Sequence, residues 1–455
     1  MRLCFGEQGN ISATVIHNSK ADLYRELKNQ FVADIRDEFG AKTENLMCSM
    51  RIDGLNKWLF IAHMFKPKLP HTITKQKISV RIKGVYKPLL FDTLSGEIKR
   101  LPFDTDQNST VFYTTLYDLD TLLVKFVPTY SGDCLKENIT DKVFNKIQVP
   151  FEVDYALSEP NVLLLDMAKY SVDNEELINT EEIMRIDNLV RKKLNLQSRR
   201  TKFVQPWAVS NSPEEHNLKL VYTVESEIDI EGVALALEHP ESTTIKLNGK
   251  LVENTVTGYY VDKDIKTVAL PKITKGANEL ELSMPFGLRT DVEACYLIGN
   301  FGTTYIGRKT KLISRPKTLS FGDVTRQGFA FYGGNVIYNT KISLDKNSDI
   351  KVTVSHYRGA AVSVLLDGKE VGIIAFSPFT LNINGVKKGE HSITYILHGT
   401  RYNTFSALHN LDADGKRNYI GPDYWRTANE GWAYEYTTRP MGILKTPIVE
   451  VSPID

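Results

Sequence analysis

Ala361-Val362-Ser363-Val364-Leu365-Leu366-Asp367-Gly368-Lys369-Glu370-Val371-Gly372 is an alternating apolar run that meets Asp-Gly and then resumes. A two-residue type I′ turn needs φ > 0 at both central residues, and Asp-Gly supplies them at low steric cost. The stretch therefore reads as a β-hairpin, with Val362, Val364 and Leu366 on one face. About twenty residues on, Lys388-Gly389-Glu390-His391-Ser392-Ile393-Thr394-Tyr395-Ile396-Leu397 is a turn feeding another alternating strand. The same order occurs earlier. Thr244-Ile245-Lys246-Leu247 meets Asn248-Gly249-Lys250, and Lys275-Gly276-Ala277-Asn278-Glu279-Leu280-Glu281-Leu282 follows. The two spacings differ, which marks a repeated domain type rather than a short-period solenoid.

Working outward, 455 residues accommodate about three domains. Val336-Ile337-Tyr338, after Gly333-Gly334, and Lys351-Val352-Thr353-Val354 lead into the hairpin, so residues 319–455 form one sandwich. Residues 148–318 form a second. It contains the apolar run Asn161 to Asp166, strands at Leu218 to Val224 and Val233 to Leu237, and an amphipathic helix near 180–195. In that helix Asn179 is the expected N-cap, with Glu182 three residues later. Ile183, Ile186, Leu189, Val190 and Leu194 make the apolar stripe, and Arg185, Lys192 and Lys193 the wet face. Residues 46–147 read as a small β-sandwich with a polar tail from 129. Its strands are Lys57 to Phe65, Ile78 to Ile82, Val111 to Leu116 and Leu122 to Val127. Residues 1–45 read as a remnant or linker, with a short helix expected between Ala21 and Phe39. The fold class expected is mostly β, with three tandem sandwiches.

Net charge is +1, from 56 basic and 55 acidic residues, which gives no electrostatic footprint for nucleic acid or an anionic membrane. No apolar run reaches the ~20 residues that span a bilayer. The opening Met1 to Gln8 has no apolar signal core, and the absence of an export signal there points towards the cytoplasm. Cys4, Cys48, Cys134 and Cys295 have neither metal-ligand nor disulfide-framework spacing. There is no His-Glu-x-x-His, Gly-x-Ser-x-Gly, phosphate loop or dinucleotide fingerprint, so no cofactor is expected. Asp291 and Glu293 would share one face of a strand, which is ordinarily a solvated face.

The surface chemistry legible here is sugar contact. A sugar offers apolar ring faces and a dense array of hydroxyls, so its site needs an aromatic platform beside fixed donors and acceptors. Arg401, Asn403, His409 and Asn410, with Trp425 and Trp432 downstream, are the right types. Arg401, Asn403, His409 and Trp425 are the sugar-binding candidates. The competing reading makes the tryptophans packing residues and Arg401 a structural ion pair.

Several further stretches carry a resemblance. They are Asp166-Met167-Ala168-Lys169-Tyr170, Gln205-Pro206-Trp207, Ile245 to Lys250, and Pro285-Phe286-Gly287-Leu288-Arg289-Thr290-Asp291-Val292-Glu293. Tyr332 to Tyr338, Arg401-Tyr402-Asn403-Thr404-Phe405, Leu408-His409-Asn410, and Tyr436 through Pro440-Met441-Gly442-Ile443 complete the set. The chain from about residue 50 onward resembles the C-terminal region of large bacterial glycoside hydrolases of the family 2 or α-L-rhamnosidase-like type. The resemblance implies a β-sandwich followed by two galactose-binding-like jelly rolls. Such enzymes hold their catalytic carboxylates on a (β/α)₈ barrel of ~250 residues. No alternating βα pattern of that length occurs here, so no catalytic residue is carried over. The expectation is an accessory portion, catalytically incomplete by itself, from a truncated or split gene. Its expected partners are an oligo- or polysaccharide and a catalytic barrel on a domain or subunit missing from this chain. A free-standing lectin-like protein and a complete glycosidase are the alternatives.

Overall fold

Both turn dipeptides adopt the conformation their composition dictates. Asn248 and Gly249 have φ of 52° and 76°, and Asp367 and Gly368 have φ of 50° and 79°. Each closes an edge hairpin, Thr244–Leu247 with Lys250–Val252 and Ala361–Leu366 with Lys369–Ile374. The first strand of each hairpin pairs with the strand that follows the later Lys-Gly turn, Gly276–Phe286 and Gly389–His398 respectively. Those strands pair in turn with His216–Ser226 and Val336–Leu344. The turn side chains make the same bond in both places. Asn248 Oδ1 accepts from Glu279 N at 2.8 Å, and Asp367 Oδ1 accepts from Ser392 N at 2.8 Å. The repeat is thus a repeat of topology and of local hydrogen bonding.

The structure, a computed structural model, describes residues 2–5, 12–15, 33–67, 72–136, 142–198, 213–411, 427 and 431–454. Gln205-Pro206-Trp207, Tyr419, Tyr424 and Trp425 lie outside the described residues, as does 21–32 of the helix expected before Phe39. The chain is mostly β, in antiparallel sheets, with no parallel barrel among the described residues. It divides into two compact units, residues 1–143 with 376–379, and 144–375 with 380–455.

In the first unit two five-stranded sheets enclose one core. One sheet runs Cys134–Leu135, Phe103–Thr105, Ser109–Tyr117, Lys75–Lys83, Asp34–Asp37. The other runs Leu46–Asp53, Asn56–His63, Thr121–Pro128, Tyr86–Phe91, Ile98–Arg100. Alternation puts Val80, Ile82, Phe112, Leu59, Ile61, Val124 and Phe126 inside. Where helix was expected to reach Phe39, Asp34–Asp37 is a strand paired with Lys75–Lys83, because that pairing buries Ile35.

The second unit holds two sandwiches. In one, a five-stranded sheet (Asn161–Leu165, Cys295–Gly299, Ala234–Glu238, Asp262–Ala269, Val256–Tyr260) faces the sheet of His216–Ser226. The latter sheet also takes in Met167–Val172 and Ile178–Glu182, and the hairpin Gly302–Ile306 with Lys309–Ile313 joins it in parallel. In the other, Val336–Leu344 lies between Gly389–His398 and Glu152–Leu157, and Ser348–Thr353 pairs with Ile448–Pro453 and Thr380–Val386. Asn145–Ile147 pairs with Ile448–Pro453. The two strands of 145–157 thus belong to sheets otherwise built from 319–453, and the chain between returns to them only after completing the first sandwich.

The helix spans Ile183–Lys193. Ile183, Ile186 and Val190 are buried, whereas Leu189, expected on the buried stripe, is 43% exposed. The N-cap is Glu182 rather than Asn179. Its carboxylate accepts from Met184 N at 3.0 Å and Arg185 N at 3.1 Å. Asn179 is not available for that role because Ile178–Glu182 is a strand paired with Met167–Val172.

Candidate functional site

The crossover between the two sandwiches of the second unit is short, Ser158-Glu159-Pro160, and it is held by Arg401. The guanidinium forks onto the Glu159 carboxylate, with Nη2 to Oε2 at 2.7 Å and Nη1 bonded to Oε1. Tyr260 Oη donates to the same carboxylate at 3.5 Å. The two side chains of the ion pair are 39% and 19% exposed, so solvent screens much of its attraction. Arg401→Ala is expected to lower the stability of this unit by about 1 kcal/mol, read as a shifted urea midpoint with unchanged slope.

Asn403 is buried and clamps one peptide of a distant segment: Nδ2 donates to Arg439 O at 2.8 Å, and Oδ1 accepts from Arg439 N at 2.8 Å. His409, 5% exposed, donates from Nδ1 to Ala433 O at 2.9 Å and from Nε2 to Asp166 Oδ2 at 3.3 Å. Burial works against a charged imidazole. The Asp166 hydrogen bond and the charges of Asp166 and Glu182 outweigh it and raise the His409 pKa. Asn410 is also buried, and its Oδ1 has no hydrogen-bond partner among the described residues. The polar residues of 401–410 thus tie 431–441 and the crossover to the end of the sandwiches.

Beside them lies an open cleft of about 70 Å³. It is lined by the loop 404–409, by Leu164, Asp166 and Glu182–Met184, by Glu293, Ala294 and Tyr296, and by Trp432. His409 lines this cleft; Arg401 and Asn403 do not, and Trp425 lies outside the described residues. Trp432 is held in place: the Arg185 guanidinium sits 4.3 Å from its ring centroid and Tyr434 packs edge-on at 4.6 Å. Glu181 fixes both neighbours, accepting from Arg185 Nε and from Tyr434 Oη at 2.9 Å each. Arg185, expected to face water, is spent on this stack.

The electrostatics are those of a buried acidic pair next to a cation. Asp166 accepts at both oxygens, from Tyr436 Oη and from His409 Nε2. Burial pushes the Glu182 carboxyl up to about 7; the two N–H bonds it accepts work against this, and the nearby Asp166 charge adds to it. The cleft therefore offers a fixed carboxylate, a carboxyl that keeps its proton towards neutrality, an imidazole and an indole edge. These are hydrogen-bonding groups of both kinds beside an aromatic ring. Asp166 was not named for sugar contact, and Trp432 was named as a suitable residue type but was not one of the four candidates. The available signal was Asp166 at the head of one of the resembling stretches.

No family model matches the sequence, and no curated protein matches it. Among solved structures the chain is similar to a rhamnosidase from Novosphingobium sp. PP1Y, at 10% identity and a TM-score of 0.43, over 95% of this chain and 26% of that one. It is also similar to the α-L-rhamnosidase of Streptomyces avermitilis, at 11% identity and a TM-score of 0.25, over 91% of this chain and 38% of the other. A GH2 β-galacturonidase from Eisenbergiella tayi aligns at 12% identity and a TM-score of 0.20, over 52% and 36%. This chain thus spans about a quarter to two fifths of the length of these proteins.

Proposed function

We propose that the chain is an accessory, carbohydrate-binding portion of a glycoside hydrolase, catalytically incomplete by itself, whose second unit holds one sugar ring at the cleft beside Trp432. The observation that carries this is a juxtaposition: His409, one of the four sugar-contact candidates, lines one open concavity with the Trp432 ring and loop 404–409, while Arg401 and Asn403 lie outside it. The resembling stretches support the same reading, with galactose-binding-like jelly rolls serving a catalytic barrel carried elsewhere. Affinity is expected to be weak, because sugar hydroxyls exchange water bonds for protein bonds at little net gain.

The test is titration of the chain with L-rhamnose, D-galactose and D-galacturonate, followed by tryptophan fluorescence and by NMR of the sugar. Binding of at least one sugar, lost in Trp432→Ala, is the expected result. Equal binding by the variant, or no binding by the wild type, would reject the cleft.

A second reading, a complete glycosidase, has one observation in its favour: a carboxyl near neutral pKa beside a charged carboxylate is how an acid and a base share a site. Against it, both Glu182 oxygens are occupied in capping the helix. Aryl glycosides are expected to remain intact in the presence of the chain. Hydrolysis that disappears in Glu182→Gln or Asp166→Asn would install the second reading instead.

A further inference from the structure

Asp166 has a second side. The narrow cleft beside His409 ends at this carboxylate, and beyond it lies a much larger one of about 690 Å³ that also includes Asp166 and Leu164 in its lining. Tyr436, which bonds the other Asp166 oxygen, faces this wider cleft. The size falls within the roughly 300–1,000 Å³ of sites that enclose small ligands.

Alternation along His216–Ser226 explains how the cleft is built. Leu218, Leu220, Tyr222 and Val224 enter the core, so Val221, Thr223 and Glu225 stand on the opposite face. The hairpin Gly302–Ile306 with Lys309–Ile313 supplies the facing wall through Thr304, Tyr305, Ile306, Lys309 and Thr310. Thr180 closes one end.

Two properties of the lining point to its ligand. First, it carries unspent hydrogen-bonding capacity of both signs. The hydroxyls of Thr180, Thr223, Thr304 and Thr310, the Glu225 carboxylate and the Lys309 ammonium make no side-chain hydrogen bond or ion pair among the described residues. These polar groups are interleaved with Leu165, Met167, Val221 and Ile306, and with the Tyr305 ring. Second, formal charge balances: Arg308, Lys309 and Lys311 stand against Asp166, Glu225 and Glu227, and Lys311 already pairs with Glu227 at 3.2 Å. A neutral ligand with many hydroxyls and apolar ring faces satisfies both properties. An anion would meet the carboxylates, and an extended peptide would look for a strand edge where the cleft offers side chains from the face of a sheet.

We infer that the wide cleft is a second glycan site, for a neutral oligosaccharide of two or three rings, sharing Leu164 and Asp166 with the single-ring cleft. This rests on the reading that the unit binds carbohydrate, and it adds a distinct locus and a ligand size.

The experiment is titration of the full chain with cellotriose, maltotriose, mannotriose and xylotriose, with trialanine as the peptide probe, in wild type, Thr223→Trp, Glu225→Gln and Trp432→Ala. Thr223→Trp fills the cleft from an outward strand position that accepts aromatic residues. The expected result is binding of at least one trisaccharide, weakened about tenfold or more by Thr223→Trp, weakened less by Glu225→Gln, and unchanged by Trp432→Ala. Should Thr223→Trp fail to fold, Glu225→Gln decides, and unaltered affinity there rejects the site. Trisaccharide binding sensitive only to Trp432→Ala places the ligand in the narrow cleft. That overturns the second site while leaving the proposed function standing. Trisaccharide binding that follows the expected pattern with no monosaccharide bound at Trp432 would reject the single-ring cleft and leave the second site standing. No trisaccharide bound up to about 10 mM, or trialanine bound in their place, overturns the inference.

Discussion

Arg191→Ala is expected to cost the second unit about 3–5 kcal/mol, the loss that follows when one member of a buried ion pair is removed. Arg191 lies on the helix Ile183–Lys193 and is 1% exposed. Its Nε reaches both Asp187 oxygens at 2.9 Å. Nη1 donates to Leu288 O at 3.0 Å and Nη2 to Thr290 O at 2.6 Å. The guanidinium also lies 5.5 Å from the Phe286 ring centroid. Truncation removes the cation that faces a buried carboxylate and strips the Gln197, Leu288 and Thr290 carbonyls of this donor, each a further cost. It also frees the Leu288–Thr290 turn from the helix. The measurement is urea unfolding of wild type, Arg191→Ala and the double variant Asp187→Leu/Arg191→Met. The double variant should recover most of the loss, because an apolar pair of similar size carries no desolvation penalty. A single-variant loss below about 1 kcal/mol would mean that the pair contributes no more than a surface salt bridge.

The second large effect is a dependence on pH. Glu182 holds its proton to about 7 when folded, against 4.5 in an open chain. Between those values the folded chain binds more protons than the unfolded one, so raising the pH favours unfolding. The contribution is present below about pH 4.5 and lost as the pH passes 7, and its size is about 3 kcal/mol at 1.36 kcal/mol per pH unit. His409, whose pKa is also raised when folded, acts in the same direction: its stabilisation is complete at low pH and lost as the imidazole deprotonates. Unfolding free energies at pH 5 and pH 8 should therefore differ by a few kcal/mol in wild type, with pH 5 the more stable. Glu182→Gln, which has no proton to release, should narrow that difference by more than half. A variant with the same pH dependence as wild type would show that the carboxyl titrates elsewhere.

What could be read without coordinates was what is local. Asn248-Gly249 and Asp367-Gly368 announce hairpins because only a few residue types enter the left-handed region cheaply, and both hairpins stand at the same place in their sheets. The helix stripe was legible from Ile183, Ile186 and Val190. Its cap was displaced by three residues because Asn179 is drawn into a strand by a partner that sequence spacing does not reveal. Arg191 was overlooked for a similar reason: beyond Asp187 one turn away, its carbonyl acceptors at Leu288 and Thr290 lie nearly one hundred residues away, and a charged residue on a helix reads as wet by default. Asn403 and His409 were named as sugar-contact candidates from residue type. Nothing in their types distinguishes a side chain aimed at solvent from one that satisfies a buried peptide.

The pairing of residues 145–157 with sheets otherwise built from 319–453 sets the order in which the protein can be made. Asn145–Ile147 leaves the ribosome roughly 300 residues before Ile448–Pro453, the strand that receives it, and at about 5–20 residues per second that interval is tens of seconds. Throughout it Asn145–Ile147 has no strand to join, whereas Glu152–Leu157 gains Val336–Leu344 earlier and the sandwich encoded between them already has its own strands. The middle of the chain is therefore ready first, and Ile448–Pro453 joins Asn145–Ile147 to the outer sandwich. A nascent chain that extends past Lys309–Ile313 but stops short of residue 448 would leave Asn145–Ile147 without the strand that receives it, the kind of surface on which holding chaperones act.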